Sequence, residues 1–300
     1  MAKGVVAGKL LTASEISYWK QCPKKWWFRY HEKLVPRQSI KVFSYGRLVH
    51  IGLQAYYSVA LCQATEAACQ AVSNAIEDDW GDEQLFILAE VFALLEAYAK
   101  HDPVAALTHH IEAVEEEFKV FLRSLASYQY SRYQLVGKKD LKTTDCHGNL
   151  WLWDHKTGST KLNRDWLSLN DQMAFYLWSE IELGNHPIGI VYNLIRKPCI
   201  RPRKGEQPDE WQARLSEDIA FRSEFYFQHE LIVKSPKMVE QTQQELWHLA
   251  HLVGKEPILR NPSACQFMGC AYREVCQIDS PLIRSTSYRI EEPHSELKEV

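Results

Sequence analysis

The chain has 300 residues, 46% hydrophobic and 24% charged, a balance that suits a globular core and excludes a wholly disordered, collagen-like or coiled-coil chain. Thirty-five Lys and Arg against 38 Asp and Glu leave a formal charge of -3, so no global basic field marks a nucleic-acid partner and any such site must be local. No apolar run approaches the roughly 18–20 residues of a membrane helix, and the opening MAKGVVAGKLLTASE lacks the apolar core and cleavage site of a leader, so the expectation is a soluble, cytoplasmic protein.

In chain order, Thr12 and Glu15 have capping-box spacing ahead of Ile16, Trp19, Trp26 and Tyr30, which predict an amphipathic helix broken near Pro23. Helices are also predicted from about Arg47 to Ser73 and from about Gln84 to Lys100, so the part 11–110 reads as mainly helical. From Ile111 the pattern turns strand-like: VEEEFKVFL, RYQLVGKKDLKTT and NLWLWDHKT. A helix from Asp165 to Leu183, ending at Gly184, precedes the β-branched run IGIVYNLIR, a buried strand. Residues 198–222 look like an insertion, EFYFQHELIVK like a further strand, and Pro236 to Val253 like a helix. The expectation is one domain over 1–284, with the sheet core at 111–235, a C-terminal helix and cysteine segment at 236–284, and a flexible tail at 285–300.

The eight cysteines do not argue for disulfides, because a chain without a secretion signal keeps its thiols reduced. Cys62, Cys69, Cys146 and Cys199 are scattered and read as small buried hydrophobes. Cys265, Cys270 and Cys276 form C-x4-C-x5-C, close enough together to point at one centre.

The densest chemistry is in GKKDLKTTDCHGNLWLWDHKTG. A turn over Asp145 to Asn149 would place Asp140 and Asp154 on neighbouring strands. Strand alternation puts Asp154 and Lys156 on one face and Trp151, Trp153 and His155 on the other. Clustered carboxylates are costly to bury unless a cation compensates them, and oxygen ligands favour Mg²⁺ or Mn²⁺. Alone, the D-x-K would be a surface hairpin carrying a solvated ion pair.

Several motifs occur together. Ser17 and Tyr18 lead into CPKKWWFRY, Gly46 to His50 form G-x-x-x-H, Asp140 stands in GKKD, Asp154-His155-Lys156 stand in WDHKTG, and Gln172 and Tyr176 form Q-x-x-x-Y. In this order they resemble the PD-(D/E)XK nuclease superfamily, and within it the RecB-like branch that includes the AddB nuclease domain and the iron-sulfur CRISPR adaptation nucleases. The resemblance implies an α/β restriction-endonuclease-like core with a central mixed sheet, a helical N-terminal region and a C-terminal iron-sulfur segment. It implies His50, Asp140 and Asp154 as ligands of Mg²⁺ or Mn²⁺, with Lys156 catalytic beside Asp140 and Asp154. Glu115 is matched to the family glutamate, although Glu116 and Glu117 stay open as alternatives.

By the same resemblance, Gln172 and Tyr176, one helical turn apart, hold a DNA phosphate with Arg47 nearby. Cys22 before the core and Cys265, Cys270 and Cys276 after it reproduce the ligand arrangement of a [4Fe–4S] cluster, with Zn²⁺ the less favoured occupant. Lys24, Lys25, Arg29 and Arg47, with Lys138, Lys139, Lys142 and Lys161, offer a local basic neighbourhood. The activity implied is metal-dependent hydrolysis of DNA phosphodiesters, as an exonuclease on single-stranded ends in recombination, repair or phage DNA processing. The chain lacks a G-x-x-x-x-G-K-[ST] loop, so unwinding would fall to a helicase or recombination partner. The alternatives are a non-catalytic DNA-binding scaffold of a nuclease-helicase complex and a structure-specific endonuclease on the same fold.

Overall fold

The structure, a computed structural model, describes residues 9–37, 40–76, 82–267 and 269–294. Its strands are β1 (Lys9–Leu11), β2 (Leu34–Pro36), β3 (His110–Arg123), β4 (Tyr130–Thr144), β5 (Leu150–Gly158), β6 (Gly189–Arg196), β7 (Phe227–Ile232) and β8 (Tyr288–Ile290). One mixed sheet has the order β1-β4-β5-β6-β7, with β3 antiparallel along the second edge of β4; β2 and β8 form a separate ribbon. β1 runs parallel to β4 and β5 parallel to β6. The expected α/β fold with a central mixed sheet is therefore what the chain adopts.

Both faces of the sheet are covered, which is why β5 opens on the unbroken apolar run Leu150 to Trp153. Trp151 and Trp153 join one core with Leu48, Leu53, Leu94 and Leu95, from the helices Ile40–Tyr57 and Asp82–Tyr98. Leu152 faces the other way, into a core with Met173, Phe175 and Leu177 of the helix Asp171–Glu182. A third cluster, around Phe28, Tyr272, Val275 and Tyr288, ties the N-terminal segment to the C-terminal one.

The first helix, Ala13–Gln21, is capped by the Thr12 hydroxyl, which accepts from the Glu15 amide at 3.1 Å. It stops at Cys22 because a residue before proline is pushed out of the helical region, and the chain resumes as Pro23–Trp26 and a π-helical turn Trp27–His31. The capping box does not close. The Glu15 carboxylate instead accepts from the Trp26 indole at 3.0 Å and pairs with His294 at 3.0 Å, bracing the chain's two ends.

Several sequence expectations need correction. The span from Arg47 to Ser73 is two helices, Ile40–Tyr57 and Leu61–Asn74, and at the end of the first the Ser58 hydroxyl donates to the Gln54 carbonyl at 2.6 Å. The span from Asp165 to Leu183 also divides, because Asn170 caps Asp171–Glu182. Residues 198–222 are not an insertion: the helix Pro208–Phe221 buries Trp211, Leu215 and Ile219 in the same core as Trp153. Its charged outer face concealed that stripe. Cys62, Cys146 and Cys199 are exposed and Cys69 is half-buried, since they lie at helix ends, turns and outward faces. The segment from Ser285 is structured as far as His294: Tyr288 is buried and β8 pairs with β2. Residues 1–8 and 295–300 lie outside the described residues, among which no helix is long and apolar enough to cross a membrane.

Trp211 distinguishes core from insertion. Trp211→Ala should lower unfolding free energy in a denaturant titration by about 3–5 kcal/mol, the range for emptying a buried aromatic site. A change within about 0.5 kcal/mol, typical of surface positions, would contradict its place in the core.

Candidate active site

The site begins where a hydrogen-bond ladder ends. β4 and β5 pair from Thr144↔Leu150 to Leu141↔Trp153, and the next positions in register are Asp140 and Asp154. There the strands part. On the same edge of β4, β1 pairs no further than Leu11↔Leu135, so residues 136–140 face a gap without a strand partner. At the fork the His155 amide, released from the ladder, donates to Asp140 Oδ2 at 2.6 Å.

Two further elements reach the fork. The β3–β4 register passes from Val114↔Leu141 to Glu116↔Lys139, leaving Glu115 opposite Asp140 with φ at 52°. A left-handed glutamate inside a strand is strained, and such strain persists where the surroundings fix it. The helix Ile40–Tyr57 brings His50, whose Nδ1 lies 3.7 Å from Asp140 Oδ1. Gly46 permits that approach: a Cβ there would meet Thr157 Oγ1 of β5 at 3.1 Å.

Ligand atoms of His50, Glu115 and Asp140 all come within 4.8 Å of one another. This selects Glu115 from its neighbours, since Glu116 pairs with Lys142 at 2.8 Å and Glu117 is exposed. Asp154, expected as a third ligand beside His50 and Asp140, is not in that set. Lys156 Nζ holds its Oδ1 at 2.6 Å, while its Oδ2 is buried without a hydrogen-bond partner. An orphaned carboxylate oxygen beside an imidazole and two further carboxylates suits a hard divalent cation such as Mg²⁺ or Mn²⁺.

The electrostatics express the same crowding. Burial, reinforced by the Asp140 charge, raises the Asp154 pKa, against the pull of Lys156. Burial disfavours the Lys156 ammonium, but Asp154 and Asp140 outweigh it and its pKa lies above the usual lysine range. Glu115 is raised by burial, and its 2.6 Å pair with Lys138 works against that rise. Burial holds His155 down at about 4, so its ring is neutral near pH 7.

The other expected residues fall into place unevenly. Gln172 Nε2 donates to Tyr176 Oη at 2.8 Å, and both border a notch of about 150 Å³ with Thr12, Ser14, Gly137 and Lys138. Arg47 is exposed one turn before His50. The basic neighbourhood is largely spoken for. Lys138 is paired with Glu115, Lys142 with Glu116, and Lys139 is wholly buried against Glu180. Lys24 and Lys25 border the cysteine cavity, and Arg29 reaches the Glu291 carbonyl at 3.3 Å. Lys161 remains exposed.

Sequence reading passed over Tyr192. It is half-buried on β6, directly in register with Asp154, and burial and the Asp154 charge raise its hydroxyl pKa. The signal available was a tyrosine in an otherwise apolar strand, but its face could be assigned only once β6 was known to lie parallel to β5.

Cys22, Cys265, Cys270 and Cys276 line one cavity of about 290 Å³, with Lys24, Lys25, Arg260 and Arg273 around it. Among the described residues, no three of these sulfurs lie within the mutual 4.8 Å found at the fork. Tetrahedral Zn²⁺ at about 2.3 Å would set its sulfurs roughly 3.8 Å apart.

A family model for the PD-(D/E)XK nuclease superfamily matches residues 10–277, and the chain belongs to that superfamily. It is a metal-dependent nuclease by family, and the His50–Glu115–Asp140 cluster offers the cation a place. No curated protein matches the chain. A solved structure described as "Crystal structure of SSO0001" aligns over 92% of this chain and 88% of its own at 12% identity, with a TM-score of 0.38, a likeness too distant to add to the argument.

The fully buried Lys139–Glu180 pair fastens the helix of Gln172 and Tyr176 to β4, next to Asp140. Lys139→Met should cost about 3–5 kcal/mol in denaturant unfolding, because it removes the buried cation against Glu180 and leaves that carboxylate only Lys142 at 3.5 Å and the Asn185 amide. Adding Glu180→Leu should recover most of that loss, and equal stability of the single and double variants would refute the account.

Proposed function

We propose that this nuclease is an exonuclease that hydrolyses phosphodiester bonds at single-stranded DNA ends, in recombination, repair or phage DNA processing beside a helicase or recombination partner. The observation that carries the catalytic reading is the fork itself, where His50, Glu115 and Asp140 converge next to the Asp154–Lys156 pair. In support of a single strand, the fork lies between two helical layers and opens along one short stretch of the β4 edge, which suits an extended strand better than a duplex.

His50, Glu115 and Asp140 would hold Mg²⁺ or Mn²⁺, with the free Asp154 Oδ2 as a further donor. A cation there would make bound water more acidic and offset negative charge developing on the phosphoryl oxygens. Lys156 favours the ionised form of Asp154 against the effect of its burial and presents ammonium protons where the attacking water is to be oriented. The His155 amide fixes one Asp140 oxygen and leaves the other turned towards His50. Gln172 and Tyr176 line the notch beside the fork and would hold a substrate phosphate, with Arg47 on the opposite layer.

The cysteine cavity is read as the seat of a [4Fe–4S] cluster on Cys22, Cys265, Cys270 and Cys276. Support comes from four thiols around one space and four cationic side chains that offset thiolate charge. Its role would be to staple the first helix to the C-terminal segment.

The activity is tested with end-labelled linear and circular single-stranded DNA, in Mn²⁺ and in EDTA, beside Asp154→Ala. Cleavage of the linear form alone, abolished by EDTA and reduced at least about 10³-fold in the variant, is expected; cutting of circles would replace the exonuclease reading with an endonuclease one. For the cluster, anaerobically purified protein should carry about four irons and four sulfides per chain, and Cys22→Ala should lose most of both. Zinc in place of iron would overturn this assignment.

A further inference from the structure

His155 lies between Asp154 and Lys156 in sequence, but its side chain enters the opposite core, where the reaction just described gives it no task. It is 3% exposed. Asn193 Nδ2 donates to its Nδ1 at 2.9 Å and to Tyr98 Oη at 2.8 Å. The hydroxyls of Tyr98 and Tyr57 are 2.7 Å apart, and the Tyr57 ring lies flat on the imidazole, with centroids 5.7 Å apart and planes 6° from parallel. His155, Asn193, Tyr98 and Tyr57 thus form a closed ring of contacts, all of it buried.

Each member comes from a different element: β5, β6, the helix Asp82–Tyr98 and the helix Ile40–Tyr57. The donor direction is consistent throughout, from Asn193 to Tyr98, from Tyr98 to Tyr57 and from Tyr57 to Asp102 Oδ1 at 2.9 Å. Tyr56 donates to the second Asp102 oxygen at 3.3 Å, so the end of the helix Ile40–Tyr57 is anchored twice.

The ring joins the two structures that must meet at the fork. Tyr57 is two turns beyond His50 on one helix, about 10 Å along its axis. His155 contributes through its amide the 2.6 Å bond to Asp140. The rings of His50 and His155 stand 6.4 Å apart, edge to face. Close packing already resists sliding of a helix over a sheet, and these buried hydrogen bonds between specific partners restrict the arrangement further, although the Nε2 of His155 has no hydrogen-bond partner.

We propose that His155, Asn193, Tyr98 and Tyr57 are positioning residues that set His50 against Asp140 and Glu115 at the separation cation binding requires. This rests on reading that cluster as the cation site. Residues that orient metal ligands from behind typically change metal affinity about 10–100-fold when removed, and that is the effect expected here.

The test is Mn²⁺ binding by the full chain, followed by electron paramagnetic resonance titration, with thermal midpoints measured in parallel. Asn193→Ala and Tyr57→Phe are compared with Tyr226→Phe, which deletes a buried hydroxyl bonded to Asp218 in the same core but away from the ring. Both ring variants should bind Mn²⁺ at least about 10-fold more weakly than the unaltered protein, and Tyr226→Phe should match it whatever its midpoint. Should Asn193→Ala not fold, Tyr57→Phe decides, since it removes one oxygen and keeps the stacked ring. Mn²⁺ affinity within twofold of the unaltered protein in the folded ring variants overturns the proposal and leaves the cation site standing. Absence of Mn²⁺ binding by the unaltered protein overturns the cation site and this inference together.

Discussion

The parting of β4 and β5 after Leu141↔Trp153 is the constraint on which the catalytic end of this protein depends. Two antiparallel strands joined by a tight turn would ordinarily pair along their length, burying Asp140 beside Asp154 with nothing to offset their charges. Separation instead frees the His155 amide for Asp140, opens the edge of β4 from residue 136 to 140, and makes room for Glu115 and His50. The positive φ of Glu115 falls at this same place, opposite Asp140.

Charge is compensated in two different ways around β4. On the side of the helix Asp171–Glu182, Lys139, Lys142, Glu116 and Glu180 neutralise one another, with Asn185 donating to Glu180 at 2.7 Å. That network is closed and needs no ligand. At the fork, three carboxylates share Lys156, Lys138 and a histidine, and one Asp154 oxygen stays unpartnered. The contrast between a satisfied cluster and an unsatisfied one a few residues away is what marks the fork as a place for a cation.

The helical N-terminal region is part of this machinery. It supplies His50, and Gly46 lets its helix close on β5 at Thr157. The helix Pro208–Phe221 supports it from behind through Trp211, sharing one core with Leu48 and Trp153. At the opposite end, Glu15, Trp26 and His294 bind the first helix to the C-terminal segment, near the cavity of the four cysteines.

The sequence by itself determined the strands from Ile111 to Gly158, the turn between Asp140 and Asp154, and the face shared by Asp154 and Lys156, because strand period and turn chemistry are local properties. It also determined the set His50, Asp140, Asp154 and Lys156 as residues of interest, through motif order along the chain. Only the tertiary structure decided that Glu115 and not Glu116 meets His50 and Asp140, because the β3–β4 register, which sets Glu115 opposite Asp140 and Glu116 opposite Lys139, joins segments whose pairing no local pattern displays. It alone decided that Lys138, Lys139 and Lys142 are paired, since their partners lie on other strands and on a helix remote in sequence. It likewise decided the fate of residues 198–222, whose apolar stripe has meaning only against the helix Asp82–Tyr98, and the ring around His155, whose four members are joined by packing and by no spacing the chain could display.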